Sequence, residues 1–405
     1  MPKKKKKQKW RKFRHRIVWA LAYLVLYPYT RIKYRVKIKR YKEKKKRPLL
    51  VLFNHQTALD QFIVGAGLKG PVYYVASEDL FSNGKISRLL EWAIAPIPIK
   101  KQATDARAVL NCMRVVKEGG TIALSPEGNR TYSGKTEYIK PAIVGLARTL
   151  KLPIAFYRIE GGYGVHPRWS DTVRRGKIRA YVDRVLEVEE YQAMSDDELY
   201  DLILKELCVN EGCFDNLYKG KRLAEYLERA YYVCPACGLS EFESNKDTFT
   251  CKKCGKTVRY LPDKSLEGIN CEWPFRFTTE WYDYQSEYVC SLDLLSRADE
   301  LLYTDKASFS KVKLYDKKYL LDENATVRLY GGKITVETAE TTYEFPFDTL
   351  STVSVLGKNK VNIYHEGELY QLKGDKHFNG VKFVQLCYRY KNIQKGEQDG
   401  RFLGL

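Results

Sequence analysis

The chain has 405 residues, long enough for two or three domains, and its 44% hydrophobic and 13% aromatic residues are typical of a globular protein. The formal net charge is +21, but residues 1–47 hold 21 of the 70 Lys and Arg residues and only one acidic residue, Glu43. These residues carry +20, which leaves +1 for the rest of the chain. The distribution excludes a protein that is basic throughout and indicates a near-neutral globule with a basic N-terminal arm.

The basic arm encloses a short apolar run at residues 17–29 (IVWALAYLVLYPY). Thirteen residues make about 20 Å of helix, which is too short for a hydrocarbon core of about 30 Å. The basic block that follows argues against a cleaved signal peptide. A nucleic-acid arm or a solvated tail would also explain the charge. The interleaved aromatic residues favour residues 1–30 as an interfacial anchor on an anionic membrane surface, at the cytoplasmic face of the cell membrane.

Strand and helix patterns alternate between residues 31 and 190, which predicts an α/β domain with a mixed sheet flanked by helices. Predicted strands cover residues 31–40, 49–53, 72–77, 96–100, 121–125, 153–162 and 177–188. Predicted helices cover residues 59–68, 85–94, 105–117 and 139–150. A further helix over 195–207 begins with Ser195 and three early acids, a typical helix start. We place this domain at residues 31–231.

From about residue 232 onward the sequence pattern changes. Residues 232–261 contain four cysteines in two pairs and predict a small ribbon. Residues 262–300 are predicted to be a connector with an aromatic helical segment. Short strands with turns begin near residue 301, and one amphipathic helix at about 377–389 closes a β-rich domain of residues 301–392, before a tail of residues 393–405. Several strands followed by one helix resemble a pleckstrin-homology-like or GRAM-like barrel. A structural β-domain without a ligand fits the same pattern.

The paired cysteines have the spacing of a metal site. Cys234 and Cys237 form one CxxC pair, Cys251 and Cys254 form another, and a Gly follows each pair. Four thiolates at this spacing predict a tetrahedral structural Zn²⁺, with iron, a redox dithiol or plain buried cysteines as alternatives. Because cysteines fill all four positions, the metal would be structural rather than catalytic. The other six cysteines are scattered, which suits a reducing cytoplasm better than a disulfide framework.

One histidine and one aspartate, five positions apart, follow the apolar run of residues 49–53 in the stretch NHQTALD. On one regular helix, His55 and Asp60 would lie about 140° apart and could not face each other. They can meet if His55 lies in the turn after the strand and Asp60 lies in the first helical turn. The carboxylate would then set the imidazole tautomer and leave the other nitrogen free to take a proton from an alcohol. A loop histidine is the alternative.

The stretch SPEGNRT follows another buried strand. Ligands of open α/β sheets bind at the carboxyl ends of strands, where Gly128 would allow close backbone approach. Arg130 could hold a phosphate through two hydrogen bonds. A structural turn with a surface arginine is the alternative.

Together the two stretches resemble the glycerol-phosphate and lysophosphatidate acyltransferase superfamily. Its first block, Asn-His-x4-Asp, corresponds to NHQTALD. Its third block, Pro-Glu-Gly-x-Arg, corresponds to PEGNRT. The second block usually ends in Arg, whereas PIPIKK offers Lys101 there, with Lys100 as the alternative. The positive charge is kept, but bidentate phosphate binding is lost at that position. Lys140 stands where the family often has a Lys after the third block. The resemblance covers about residues 30–220, half of the chain.

The resemblance implies roles for these residues. His55 would be the general base for the acceptor hydroxyl and Asp60 its orienter. The acceptor would be bound by a set of residues from the later blocks: Glu127, Gly128, Arg130, Thr131, Lys101 and Lys140. The acyl group would come from a thioester of coenzyme A or acyl carrier protein, and the acceptor would be a lysophospholipid, most simply 1-acylglycerol-3-phosphate.

A different class of function is also open. The ribbon could be a non-catalytic module that binds nucleic acid or a protein, with the acyltransferase-like domain as its scaffold. The mixed charge around the ribbon and the absence of a following basic and aromatic RNA-binding sheet argue against nucleic acid. We therefore expect a membrane-associated acyltransferase with no nucleic-acid partner.

Overall fold

The computed structural model describes residues 9–77, 80–81, 84–99, 106–213, 216–313, 318–397 and 402–405. The chain divides into two compact units. The first unit comprises residues 1–128, 139–160 and 178–208, and the second comprises residues 129–138, 161–177 and 209–405.

The helices and strands alternate in the first half of the chain and are mainly strands in the second. The helices are α1 Phe13–Lys33, α2 Asp60–Gly67, α3 Lys85–Ile94, α4 Ala106–Lys117, α5 Ala142–Leu150, α6 Gly162–Val165, α7 Val188–Gln192, α8 Asp196–Leu207, α9 Thr278–Ser291 and α10 Val381–Gln394. The first strands are β1 Val36–Ile38, β2 Leu50–Phe53, β3 Val72–Ser77, β4 Ile97–Ile99, β5 Thr121–Leu124, β6 Ile154–Glu160 and β7 Ile178–Leu186. The later strands are β8 Val233–Cys234, β9 Gly238–Leu239, β10 Phe242–Asn245, β11 Thr248–Cys251, β12 Thr257–Tyr260, β13 Leu266–Gly268, β14 Leu301–Val312, β15 Lys318–Tyr330, β16 Lys333–Glu337, β17 Thr342–Pro346, β18 Leu350–Leu356, β19 Lys360–His365 and β20 Glu368–Gly374.

The first unit is built on a seven-stranded sheet in the order β1-β7-β6-β2-β5-β3-β4. Strands β6, β2, β5, β3 and β4 run parallel, and β7 turns back antiparallel to β6. All four residues of the central strand β2 are buried, as its continuous apolar sequence predicts. Because β2 and β5 are adjacent and parallel, the turns that follow them lie at the same edge of the sheet.

The helix boundaries follow local chemistry. Ser195 accepts a hydrogen bond from the Glu198 amide at 3.2 Å, and Glu198 accepts one from the Ser195 amide at 2.7 Å, so α8 begins with the predicted capping arrangement. The strand predicted over residues 31–40 is wrong for most of its length. Helix α1 continues to Lys33, and only Val36–Ile38 pair with β7. Apolar and basic residues alternate over only a few positions here. Extending the already formed helix α1 by a few residues is favourable, because each added residue gains a hydrogen bond without a new nucleation cost.

Helix α1 packs on the first unit along one face. The Trp19 indole donates to the Gly65 carbonyl at 3.0 Å, and buried His15 lies 3.1 Å from the Tyr73 hydroxyl. Preceding the helix, the Trp10 indole donates to the Ala95 carbonyl at 3.0 Å. Within the described part of the chain, no helix combines the length and the apolar character that crossing a bilayer requires.

The second unit contains two main antiparallel sheets. The ribbon sheet has the order β10-β11-β12-β13, so it extends past the predicted ribbon end at residue 261 to Gly268. The larger sheet has seven strands in the order β17-β16-β15-β14-β20-β19-β18, and α10 packs against β18. The predicted fold class is therefore confirmed: a mixed α/β sheet with helices, a cysteine cluster and a C-terminal β-rich domain.

An aromatic cluster joins the ribbon to α9. Trp281 of α9 is fully buried and its indole donates to the Val233 carbonyl at 2.9 Å. The rings of Phe242 and Phe249 stack at 4.7 Å and both meet the Trp281 ring at 5.4 Å. The segment predicted as a connector thus supplies part of the second unit's core, because its aromatic side chains bury large areas.

Candidate active site and cysteine cluster

The turn after β2 is fixed to the neighbouring strand β6 by Asn54. The Asn54 amide donates to the Ile159 carbonyl at 2.7 Å, and its oxygen accepts from the Ile159 amide at 2.8 Å. Asn54 is fully buried, so these two bonds satisfy a side chain that would be costly to leave unpaired. They fix the point at which the chain leaves the sheet and therefore the position of the next residue, His55.

His55 and Asp60 meet through the bend that their contact requires, with His55 in the turn after β2 and Asp60 at the start of α2. The Nδ1 atom of His55 lies 2.8 Å from Oδ2 of Asp60. Asp60 is the first residue of α2 and is fully buried, whereas the His55 side chain is 15% exposed. If the carboxylate accepts the Nδ1 proton, the imidazole keeps Nε2 as its basic nitrogen. The pair can therefore act as a general base with an oriented tautomer.

The buried carboxylate of Asp60 has further donors. The Gln56 amide donates to Oδ2 at 2.6 Å, and the Thr57 amide donates to both carboxylate oxygens. The Thr57 hydroxyl donates to Oδ1 at 2.6 Å. This set gives both carboxylate oxygens hydrogen-bond donors and fixes the rotation of the group. Thr57 did not emerge from the sequence analysis, although a hydroxyl residue three positions before an acid at a helix start is a recognisable signal.

Helix α2, which carries Asp60, is held close to the sheet. Its last residue, Gly67, lies against the Tyr157 ring of β6, and a Cβ atom at that position would collide with the ring. The Tyr157 hydroxyl donates to the Ile63 carbonyl at 3.1 Å. The position of the carboxylate is therefore defined by close backbone packing between helix and strand.

Glu127 follows β5 at the same edge of the sheet. Its Oε1 accepts a hydrogen bond from the His55 backbone amide at 2.7 Å, and the residue is 5% exposed. One carboxylate oxygen thus positions the main chain of the histidine. The sequence resemblance assigns Glu127 to acceptor binding, and the structure gives it this additional contact.

The chain passes from the first unit into the second between Gly128 and Asn129, inside the PEGNRT motif. Gly128 has φ +72°, a left-handed conformation that favours glycine, and a Cβ atom there would meet no neighbour. Arg130 and Thr131 belong to the second unit. Thr131 is fully buried and its hydroxyl accepts from the Gly134 amide at 2.9 Å, so it forms a turn.

Two lysines, Lys101 and Lys140, were predicted to bind the acceptor. Lys140 is exposed, just before α5. Lys101 lies outside the described residues.

A group of basic side chains surrounds the loop of residues 166–177 in the second unit. Burial and the charges of Lys358 and Arg130 lower the pKa of His166 to about 4, so the imidazole is neutral at physiological pH. Burial raises the pKa of Asp171, but hydrogen bonds from Arg229 and Lys358 outweigh it and bring that pKa down to about 2. The sequence singled out Arg130 but did not show that Lys358 and Arg229 lie near the same loop, because these residues are distant along the chain.

The four predicted cysteine ligands converge in the second unit. Their sulfur atoms all lie within 4.8 Å of one another, and Cys234 Sγ is 3.8 Å from Cys254 Sγ. Tetrahedral Zn²⁺ with Zn–S bonds of about 2.3 Å requires sulfur atoms about 3.8 Å apart. Gly238 and Gly255, which follow the two CxxC turns, have φ near +70°. These residues fit a four-thiolate metal such as zinc.

The second unit also contains a cavity of about 690 Å³ between the ribbon and strand β14. Both acidic and basic side chains line it, including the ion pair of Lys382 with Asp305 at 2.8 Å. Of the predicted catalytic and acceptor-binding residues that the structure describes, none lines this cavity.

Comparison with known proteins supports the resemblance. Residues 33–159 match the family model described as Acyltransferase. The chain is similar to a 1-acyl-sn-glycerol-3-phosphate acyltransferase, BAT2, chloroplastic, from Brassica napus, with 21% identity over 195 residues, covering 46% of this chain and 54% of the relative. The chain thus spans about half the length of that curated relative.

Two solved structures are also similar in part. The lysophosphatidate acyltransferase PlsC from Thermotoga maritima has a TM-score of 0.41 and 18% identity, with coverage of 48% of this chain and 78% of that chain. The N-terminal PH domain of human ARAP2 has a TM-score of 0.19 and 17% identity, with coverage of 22% of this chain and 81% of that domain.

Proposed function

We propose that this chain, whose residues 33–159 match the Acyltransferase family model, is a membrane-associated O-acyltransferase. It transfers a fatty acyl group from a thioester of coenzyme A or acyl carrier protein to a glycerol-phosphate-type acceptor, most simply 1-acylglycerol-3-phosphate. The observation that carries the proposal is the 2.8 Å contact between His55 Nδ1 and the buried Asp60 carboxylate. This arrangement provides a base for an alcohol without a nucleophilic residue of the protein.

In the proposed reaction, His55 Nε2 removes the proton of the acceptor hydroxyl as its oxygen attacks the thioester carbonyl carbon. A C–O bond forms, and the carbonyl π electrons move onto oxygen to give a tetrahedral intermediate. When the intermediate collapses, the C–S bond breaks and the departing thiolate takes the proton from the imidazolium. Asp60 stabilises the imidazolium while the proton resides there. The acceptor is converted to an ester, and the enzyme returns to its starting state.

The acceptor carries a phosphate, for which the proposal uses basic residues of the family blocks. Arg130 would bind the phosphate through two parallel hydrogen bonds, as guanidinium groups do. Lys101 and Lys140 would contribute as point charges. Glu127 would keep the role that its contact with the His55 amide suggests, which is to hold the base in place.

An apolar surface on the first unit supports the membrane association. Leu24 and Val25 of α1 are 68% and 67% exposed, on the helix face opposite Trp19. Ile86 and Leu89 of α3, a helix packed beside α1, are 64% and 61% exposed. An apolar face flanked by the basic arm suits a one-leaflet attachment to anionic lipid on the cytoplasmic face.

The test is acyl transfer by the purified protein with labelled acyl thioesters and a panel of lysophospholipids. Replacing the general base in His55→Ala should lower kcat by about 10²- to 10⁴-fold. His365→Ala is the matched control, because His365 is a partly exposed histidine of β19 whose ring contacts Thr349. Wild-type rates in His55→Ala would refute the mechanism. Salt-dependent binding of nucleic acid without any acyl transfer would favour the ribbon-module alternative.

A further inference from the structure

Arg168 connects two distant parts of the second unit through its guanidinium group. Its Nη1 donates to the Arg130 carbonyl at 2.9 Å, in the PEGNRT motif. Its Nη2 donates to the Val355 carbonyl and its Nε to the Gly357 carbonyl, both at 3.3 Å. Val355 lies in β18 and Gly357 in the turn before β19. One planar group thus bonds both to the motif and to the C-terminal β-rich domain.

The surroundings of Arg168 favour a fixed arrangement. The residue is 3% exposed, so its charge depends on these carbonyl groups for the hydrogen bonds that water would otherwise supply. The guanidinium carbon also lies 4.2 Å from the centre of the Tyr132 ring, two residues after Arg130. Tyr132 is 1% exposed. Arg168 therefore contacts the segment of residues 130–132 at two points, the Arg130 carbonyl and the buried Tyr132 ring.

A second basic residue fastens the same turn to the loop that carries Arg168. Lys358 donates to the Ser170 carbonyl at 2.5 Å and to Oδ1 of Asp171 at 2.7 Å. Arg229 binds Asp171 through both carboxylate oxygens, at 2.9 and 3.2 Å. The turn between β18 and β19 thus helps to define the conformation of the loop of residues 166–177.

We propose that Arg168 is a positioning residue for Arg130, and that through it the C-terminal β-rich domain is required for recognition of the acceptor's phosphomonoester. The proposal rests on the function proposed above, in which Arg130 binds that phosphate. By fixing the Arg130 carbonyl, Arg168 limits the directions in which the Arg130 side chain can leave the backbone. Pre-ordering of this kind reduces the entropy lost when the phosphate binds.

The first test compares kinetics with two acceptors, 1-acylglycerol-3-phosphate and 1-monoacylglycerol, which lacks the phosphate. In Arg168→Lys, which keeps the charge but cannot reproduce the fork of donors, KM for the phosphate acceptor should rise about tenfold, with kcat within about twofold of wild type. The parameters for 1-monoacylglycerol should not change. Arg168→Gln should show a larger rise in KM. Arg328→Lys is the control, because Arg328 forms an ion pair with Glu337 at 2.6 Å on β15 and contacts neither segment.

The second test does not depend on activity. Hydrogen exchange of the amides in residues 129–138 and 355–358 should accelerate about tenfold in Arg168→Lys relative to Arg328→Lys, while the sheet of the first unit keeps its protection. Unchanged exchange in residues 129–138 would overturn the proposal, as would equal loss of activity with both acceptors. If the wild-type protein transfers no acyl group to any acceptor, the proposed function fails. In that case the exchange measurement still decides whether Arg168 orders the motif.

Discussion

Thr57 donates its hydroxyl hydrogen to Oδ1 of Asp60 across 2.6 Å, while the other carboxylate oxygen, Oδ2, meets the His55 ring. The carboxylate is therefore fixed from both sides. The Nδ1–H group of the imidazole follows the lone pair of the carboxylate oxygen that accepts it. Rotation of the Asp60 carboxylate would therefore turn the other ring nitrogen, Nε2, away from a bound substrate. The Thr57 side chain thus acts on the orientation of His55, the proposed base, through Asp60.

The first prediction concerns this hydroxyl. Thr57→Val removes the donor at similar volume and should lower kcat about tenfold with little change in KM, because the loss affects the orientation of the base. Steady-state kinetics of acyl transfer measure the effect. Thr57→Ser keeps the hydroxyl and should restore most of the rate. An equal loss in Thr57→Ser would mean that the methyl group matters rather than the hydrogen bond.

The second prediction is a dependence of stability on pH at His166. Its pKa in the folded protein is about 4, against 6.5 for the free side chain. Between these values the unfolded chain binds the extra proton, so stability should fall as the pH drops from 6.5 towards 4. The pKa difference corresponds to a loss of roughly 3 kcal/mol in the free energy of unfolding once the pH has fallen to 4.

Thermal unfolding of wild type and His166→Gln at pH 7.5 and pH 5 measures this effect. The variant should lose less stability on acidification, because glutamine takes up no proton. His365→Gln is a suitable comparison, since His365 is a partly exposed histidine of β19 whose ring contacts the Thr349 hydroxyl. The same pH response in wild type and His166→Gln would contradict the prediction.

The third prediction concerns membrane attachment. Leu21 and Leu24 of α1 are 58% and 68% exposed, and their replacement by Glu should abolish the salt-resistant fraction bound to anionic vesicles. The charge of the arm should still give binding at low salt. Co-sedimentation at low and high salt separates the two contributions. Leu217→Glu is the control, because Leu217 is 63% exposed in the second unit.

Point substitutions are better suited to this test than deletion of residues 1–30. Trp10, His15 and Trp19 contact the rest of the first unit, so deletion would uncover Tyr73 as well as remove the apolar face. Complete release of the wild-type protein from vesicles by high salt would contradict the prediction, because charge alone would then explain the binding.

The fourth prediction concerns the cysteine cluster. The purified protein should contain about one zinc ion per chain, and Cys251→Ser should lose it and unfold at a temperature about 5 °C lower or more. Elemental analysis and thermal unfolding measure these effects. Cys271→Ser is the control, because Cys271 lies near the ribbon but outside the cluster of four sulfur atoms. Retention of stoichiometric zinc in Cys251→Ser would exclude this ligand set.

Local sequence determined the elements around the base. The apolar run of β2 and the capping pattern of α8 specify structure through neighbouring residues, and both elements occur as expected. The spacing of His55 and Asp60 also required a bend between them, because a continuous helix would have separated them. Two CxxC pairs, each followed by glycine, indicated the convergence of four sulfur atoms, since each pair already encodes its own turn.

Only the tertiary structure decided which distant residues meet. Neither the contact of Glu127 with the His55 amide nor that of Arg168 with the Arg130 carbonyl leaves a periodic signal, because the partners are 72 and 38 positions apart. The division of the chain inside the PEGNRT motif is equally invisible in the sequence, since it depends on how segments pack rather than on local propensity. Local sequence patterns determined which helices and strands form and which side chains they carry. The packing of the sheets and the satisfaction of buried polar groups determined which of these side chains meet.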